Sequence, residues 1–182
     1  TKLGSIYDDK IILITGAGGS IGSSIIFQLL KTNFRRLILL DNSEYNLYKL
    51  SKFSTNKKNI LFFLRNFNDK AEMINLLSIH KVDIIFHAAA YKHVPLIEMN
   101  PFSSIKNNFL DTFEFMKLIT QYNVTNFCLI SSDKAVRPTN IMGASKRLSE
   151  LALSYLDNLK SHNTIFCSVR FGNVINSSGS VK

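Results

Sequence analysis

The sequence contains no tryptophan, two cysteines, and no apolar run approaching the roughly 20 residues that a bilayer span requires. No helix crossing a membrane is therefore expected within it. Cys128 and Cys167 each sit inside an apolar run, so buried free thiols in a reducing compartment are expected rather than a disulfide. Acidic residues are scarce: 13 Asp and Glu stand against 22 Lys and Arg, a formal charge of +9. That surplus suits an anionic partner such as a diphosphate ligand, a nucleic acid or an acidic membrane surface. The basic residues are scattered, with pairs such as Arg35-Arg36 and Lys57-Lys58 and no arginine-rich arm, so a basic solvated surface explains most of them. Neither a stacking-aromatic motif nor a basic recognition helix is present, and no nucleic-acid partner is expected. Internal repeats, low-complexity segments and a domain boundary are also lacking. The start, Thr1-Lys2-Leu3-Gly4, is neither a signal peptide nor a start-codon product, and the expectation is a piece of a longer protein.

What is present is globular. A hydrophobic fraction of 46% with 19% charged residues excludes disorder, and 182 residues suffice for one domain with a sizeable core. Fourteen Phe and six Tyr supply the aromatic volume. Short apolar runs alternate with amphipathic stretches, the pattern of βα units on a parallel sheet. Strands are expected at Ile11–Thr15, Arg36–Asp41, Ile60–Leu64, Asp83–His87, Phe127–Ser131 and Thr164–Arg170. Helices are expected at Ser20–Lys31, Ser43–Phe53, Asp69–Ile79, Phe102–Gln121 and Asn140–Lys160, the fourth starting after Asn100-Pro101. With right-handed crossovers this order gives an α/β fold: a doubly wound parallel sheet with helices on both faces.

The first turn carries the strongest motif. Gly16, Gly19 and Gly22 are three residues apart, directly after a strand and at the opening of a helix. This is the Rossmann dinucleotide fingerprint: a tight turn, a backbone bare enough for a pyrophosphate, and close helix–strand packing. Ser20 and Ile21 complete the first helical turn, whose free N–H groups would face the phosphates. Asp41 ends the second strand about 20 residues on, where an acid bonds the adenosine ribose. An anion there repels a 2′-phosphate, so NAD is the expected cofactor. The competing reading is that Asp41 caps the helix beginning near Ser43.

Further segments carry a resemblance. They are Thr15–Gly22, Leu40-Asp41-Asn42-Ser43-Glu44, His87-Ala88-Ala89-Ala90-Tyr91-Lys92-His93-Val94-Pro95, Asn100-Pro101, Ile105-Lys106-Asn107-Asn108, Ser131-Ser132-Asp133-Lys134-Ala135, Pro138–Arg147 and Arg170-Phe171-Gly172-Asn173-Val174. Together they resemble the polysaccharide-biosynthesis branch of the extended short-chain dehydrogenases/reductases, which contains nucleotide-sugar 4,6-dehydratases. The resemblance implies a tightly bound NAD, a UDP-N-acetylglucosamine-like substrate, and an internal redox cycle. In that cycle C4 is oxidised, water leaves across C5 and C6, and hydride returns to C6. It also implies residue roles. Lys146 holds the nicotinamide ribose, Ser132 lies beside the sugar O4, and Asp133 and Lys134 form the acid/base pair of the elimination, with the Lys134 pKa pulled down. Asn66 reaches the adenine amino group, and Ala88 and Ala89 line the cofactor. Lys92, His93 and Asn173 contact substrate. No metal site is implied. An ordinary turn also explains Ser132–Lys134, a solvated loop also explains Lys92 and His93, and His87 reads as a packing residue.

The pattern departs from the superfamily at Met142, which stands where tyrosine usually precedes Lys146 by one helical turn. A thioether cannot take a proton, so Asp133, directly or through Ser132, is the expected base at O4. A subgroup of large membrane-anchored dehydratases carries Met at this position. Asn66 replaces a usual aspartate, Arg137 a usual asparagine, and Asp111 and Asn176 usual glycines. The family's sugar-nucleotide lobe lies mostly beyond residue 182, so this dinucleotide-binding domain is expected to bind NAD and turn substrate over poorly. The location expected is cytoplasmic, at the inner face of the membrane for a longer anchored form, and the long helices offer a homo-oligomer surface. Two alternatives stay open: a nucleotide-sugar epimerase, and a non-catalytic NAD-binding module.

Overall fold

The computed structural model describes residues 5–53, 59–159 and 161–172. Six strands form one sheet: β1 (Ile11–Thr15), β2 (Arg36–Asp41), β3 (Ile60–Leu64), β4 (Ile84–His87), β5 (Asn126–Ser132) and β6 (Ile165–Phe171). All five pairings are parallel and the order is β3-β2-β1-β4-β5-β6. The doubly wound expectation is met. The strand order reverses between β1 and β4, and ligands bind at that point, outside the carboxyl ends of the strands.

Alternation along the strands feeds two cores. Ile12, Ile14, Leu37 and Leu39 face α1 (Ser20–Leu29) and α2 (Glu44–Phe53), meeting Ile26, Leu29, Leu47 and Leu50. Leu13, Ile38, Leu40, Ile85, Phe127 and Leu129 face the opposite side, against α3 (Lys70–His80) and later helices. β1 is buried at every position because it is covered on both faces. The edge strand β6 buries only Phe166.

Element boundaries shift where capping decides them. Asp69 and Asn140 are caps, accepting from the N–H groups of Glu72 (3.1 Å) and Gly143 (2.8 Å), so α3 starts one residue late and α7 is Ile141–Asn158. Two expectations need correction. A short helix, α4 (Val94–Met99), lies inside the supposed loop, and the single helix expected over Phe102–Gln121 is composite. It runs as α5 (Pro101–Ser104), a π-helical segment Ile105–Asp111, and α6 (Thr112–Ile119). The wide turn accompanies the Asn108 side chain, which bonds the Tyr91 backbone and Ser145. Cys128 is buried as expected, but Cys167 is exposed, because β6 is the sheet edge.

Candidate active site

The glycine loop sits where β1 ends. Gly16 adopts a φ of +65°, and a Cβ there would stand 2.6 Å from the Ala89 nitrogen, so the chain after β4 closes over a residue without a side chain. Gly22 is buried where α1 crosses the loop carbonyls. Gly19 is the α1 cap residue and makes no side-chain cap hydrogen bond, and a helix start of this kind is suited to an anion. Ser20 and Ile21 follow, half-buried, on that first turn.

Asp41 is buried at the end of β2 and accepts two hydrogen bonds, from the Gly18 N–H (2.8 Å) and the Ser43 N–H (2.9 Å). It therefore ties the glycine loop to the start of α2, and each oxygen keeps further lone-pair capacity. One cleft collects Gly16, Gly19, Asp41, Asn66, Ala88 and Ala89. Its wall also includes Asn46 and Arg65, which the sequence reading did not single out, and Tyr91 and Asn107, which it quoted without assigning a role. Arg65 is ion-paired with Glu72 and lies over the Phe63 ring.

The second group lies at the end of β5. Ser132 accepts from the Lys134 N–H (3.2 Å) and caps a 3-10 turn, Asp133–Ala135. Its hydroxyl donates to Asp133 Oδ1 (3.0 Å), and Lys134 Nζ stands 3.4 Å from the same oxygen. Those contacts, the Ser132 hydrogen bond foremost, hold the exposed Asp133 carboxyl below its usual range. So the turn is both a capped local structure and a cluster of chemically useful groups. Gly143 in α7 packs against the Lys134 carbonyl and fixes the turn over the helix start. Met142 and Lys146 follow on α7, both buried and one turn apart. Burial pulls the Lys146 pKa down to about 8, against the opposing pull of the Glu150 carboxylate.

A chain of contacts links the two groups. The Tyr91 backbone beside the cleft exchanges two hydrogen bonds with the Asn108 side chain, which bonds the Ser145 hydroxyl next to Lys146. His87 serves packing, as expected. It bridges the Thr15 and Thr112 hydroxyls (2.7 and 3.1 Å) among Phe67, Phe115 and Phe127. Complete burial, and secondarily the charge of Lys146, lower its pKa to about 3, so it stays neutral.

Lys92 and His93 are exposed on the loop before α4 and do not join the cleft wall. Asn173 and Asn176 lie outside the described residues. The sequence reading missed Glu150 and Arg170 as site residues. Glu150 is buried and accepts from Ser131 Oγ (2.6 Å), Arg170 Nε (2.8 Å), Arg170 Nη2 (2.7 Å) and Arg147 Nη1 (3.1 Å). Its position four residues after Lys146 was the one available signal. No described helix is long and apolar enough to cross a membrane.

Known proteins share the sequence and the fold. The capsular polysaccharide biosynthesis protein CapD of Staphylococcus aureus is 41% identical over 177 residues, covering 95% of this chain and 29% of CapD. A UDP-glucose 4-epimerase of Rickettsia prowazekii is 33% identical, covering 97% of this chain and 52% of its own length. Pen from Bacillus thuringiensis superposes with a TM-score of 0.90 at 34% identity, over 96% of this chain and 53% of Pen. At 21% identity and a TM-score of 0.79, a UDP-glucose 4-epimerase of Bifidobacterium longum, solved with NAD+ and UDP, shares the fold over 88% of this chain and 52% of its own. The chain thus spans from under a third to about half of the relatives it matches. A family model described as polysaccharide biosynthesis protein matches residues 12–182, and the chain belongs to that family.

Proposed function

We propose that these residues form the NAD-binding domain of a nucleotide-sugar 4,6-dehydratase acting on a UDP-N-acetylglucosamine-like substrate. The observation that carries the reading is the cleft in which Gly16, Gly19, Asp41, Asn66, Ala88 and Ala89 meet at the end of β1 and the start of α1. The fit is specific: a bare Gly16–Gly19 backbone for the pyrophosphate, a carboxylate for the ribose diol and an amide for the adenine edge. The Bifidobacterium epimerase, solved with NAD+ and UDP on the same fold, supports the choice of cofactor. NAD supplies hydride acceptance and return when bound.

The chain's own groups do the rest. Lys146 holds the nicotinamide ribose and adds positive charge next to the reacting hydroxyl. Met142 gives the site an apolar wall and no proton acceptor. Asp133, already ionised, takes the O4 proton directly or through Ser132. Its second task, protonating the departing O6, requires the sugar to exclude water and raise its pKa. Lys134 beside it accepts the C5 proton as the neutral amine, which requires it first to release its ammonium proton to solvent. The sugar-nucleotide lobe comes from sequence outside these residues. Exposed Phe102, Leu151 and Tyr155 on α5 and α7 support pairing of subunits through those helices.

Incubating a full-length form with UDP-N-acetylglucosamine and weighing the product tests the reading: a product lighter by one water is expected. A second reading is a 4-epimerase, favoured by the Rickettsia relative. Turnover with no change of mass would establish it instead, and bound NAD without any turnover would leave a non-catalytic module.

A further inference from the structure

Helix α7 buries two opposite charges one turn apart, Lys146 at 6% and Glu150 at 5% exposure. Among the described residues no acceptor hydrogen-bonds the Lys146 ammonium, whereas Glu150 is saturated. Its carboxylate takes both nitrogens of a bidentate Arg170 from β6, the Ser131 hydroxyl from β5 and Arg147 from α7. A buried carboxylate with four donors stays ionised, and its pKa is held at about 2 although desolvation pushes the other way. The other charges near Lys146 do not substitute for it. His87 on β4 is neutral, Asp133 engages Ser132 and Lys134, Lys106 and Asp111 of the π segment pair with each other, and Glu98 of α4 accepts the Ile141 N–H.

We propose that Glu150 is the positioning residue of the Lys146 site, a carboxylate clamped by β5, β6 and α7 that keeps the Lys146 ammonium charged and registers the Ser132–Lys134 turn against α7. This rests on reading Lys146 as the ribose-holding lysine. Ser131 gives the clamp its second consequence. It directly precedes Ser132 and Asp133, so its 2.6 Å bond to Glu150 fixes where the turn leaves the strand. Arg170 plays the same part for β6. The half-exposed guanidiniums of Arg170 and Arg147 keep their outer faces in water, while the carboxylate they hold is buried.

The charge on Lys146 is read by carbon-13 NMR of lysine labelled at Cε, its resonance being the one missing from Lys146→Met. In the unsubstituted protein the midpoint is expected at about 8. Glu150→Gln keeps the shape and removes the charge, and the midpoint is expected to fall by about one pH unit or more, a tenfold change in the charged-to-neutral ratio. Glu150→Asp is expected to restore most of it. A folded Glu150→Gln protein whose Lys146 midpoint does not move overturns the proposal. Should Glu150→Gln not fold, the Lys146→Met/Glu150→Gln double substitution decides: recovery of folding supports the compensating role, and equal failure overturns it. The resonance reports on Lys146 whether or not sugar is turned over. Absent NAD binding would therefore sink the proposed function and leave only the Glu150–Lys146 charge coupling standing, and an unmoved midpoint in a protein that binds NAD would sink this inference alone.

Discussion

The two halves of the sheet build their sites by different means. Around β1–β3 the cleft is shaped by chain turns, those at Gly16, at the start of α1 and at Ala88–Ala89, tied by Asp41 and walled by side chains such as Asn46, Arg65 and Asn66. Around β5 and β6 the backbone only delivers side chains. Ser131, Lys146, Glu150 and Arg170 come from three elements and acquire meaning from one another. The first half tolerates little change of shape, and the second little change of charge. A backbone anion cradle works through fixed N–H dipoles, whereas proton chemistry needs groups whose charge the neighbours set.

Substitutions sharpen that contrast. The largest effect belongs to Gly16→Val. The residue needs a positive φ and would drive a side chain into the Ala88–Ala89 backbone, so a loss of about 4 kcal/mol in stability and of NAD binding is expected. Denaturant melts and calorimetry read both, and a stable variant that binds NAD would break the comparison. Asp133→Asn is expected to lower turnover of a full-length form by roughly 10²–10⁴-fold with NAD binding unchanged. Full turnover would remove Asp133 from the chemistry.

The boundary between the halves is pH-sensitive. His87 titrates at about 3 in the fold against 6.5 unperturbed. The unfolded chain thus binds the proton first, and stability falls as pH drops from 6.5 towards 3, whereas above 6.5 the His87 contribution is fully present. Denaturant melts across this range should flatten in His87→Gln; an unchanged slope would show that other groups carry the acid sensitivity. Asp41→Asn is expected to weaken NAD binding by about tenfold, roughly 1.4 kcal/mol, measured by titration calorimetry. The smallest effect is a gain. Arg137 has a φ of +52°, a region in which asparagine is better accommodated, so Arg137→Asn should stabilise the fold by about 1 kcal/mol in thermal melts.

Much of the first half was legible because its signals are local. Three glycines at fixed spacing, after an apolar run and before an amphipathic one, specify a turn that few other sequences form. Asp41 was legible for the same reason, and both of its weighed roles have a basis: it holds Ser43 at the start of α2 and lines the cleft. Arg65 was not, since a basic residue after a strand looks like any surface charge until the cleft forms beside it. The π segment escaped because the apolar periodicity of Phe102–Gln121 is compatible with one α-helix, and only the demands of Asn108 show the wider turn. Cys167 was misjudged because an apolar run reads as buried, whereas β6 lies at the sheet edge.

By itself the sequence determined the alternation of strands and helices and the glycine turn after the first strand. Each of these depends on backbone sterics and periodicity within a few residues. Only the tertiary structure decided that Glu150 meets Ser131 and Arg170, that His87 stays neutral between two threonines, and that Asp133 stands ionised at the surface. The states of His87 and Glu150 follow from burial and from partners up to 72 residues away in the chain, which no local pattern encodes, whereas Asp133 takes its state from its neighbours Ser132 and Lys134.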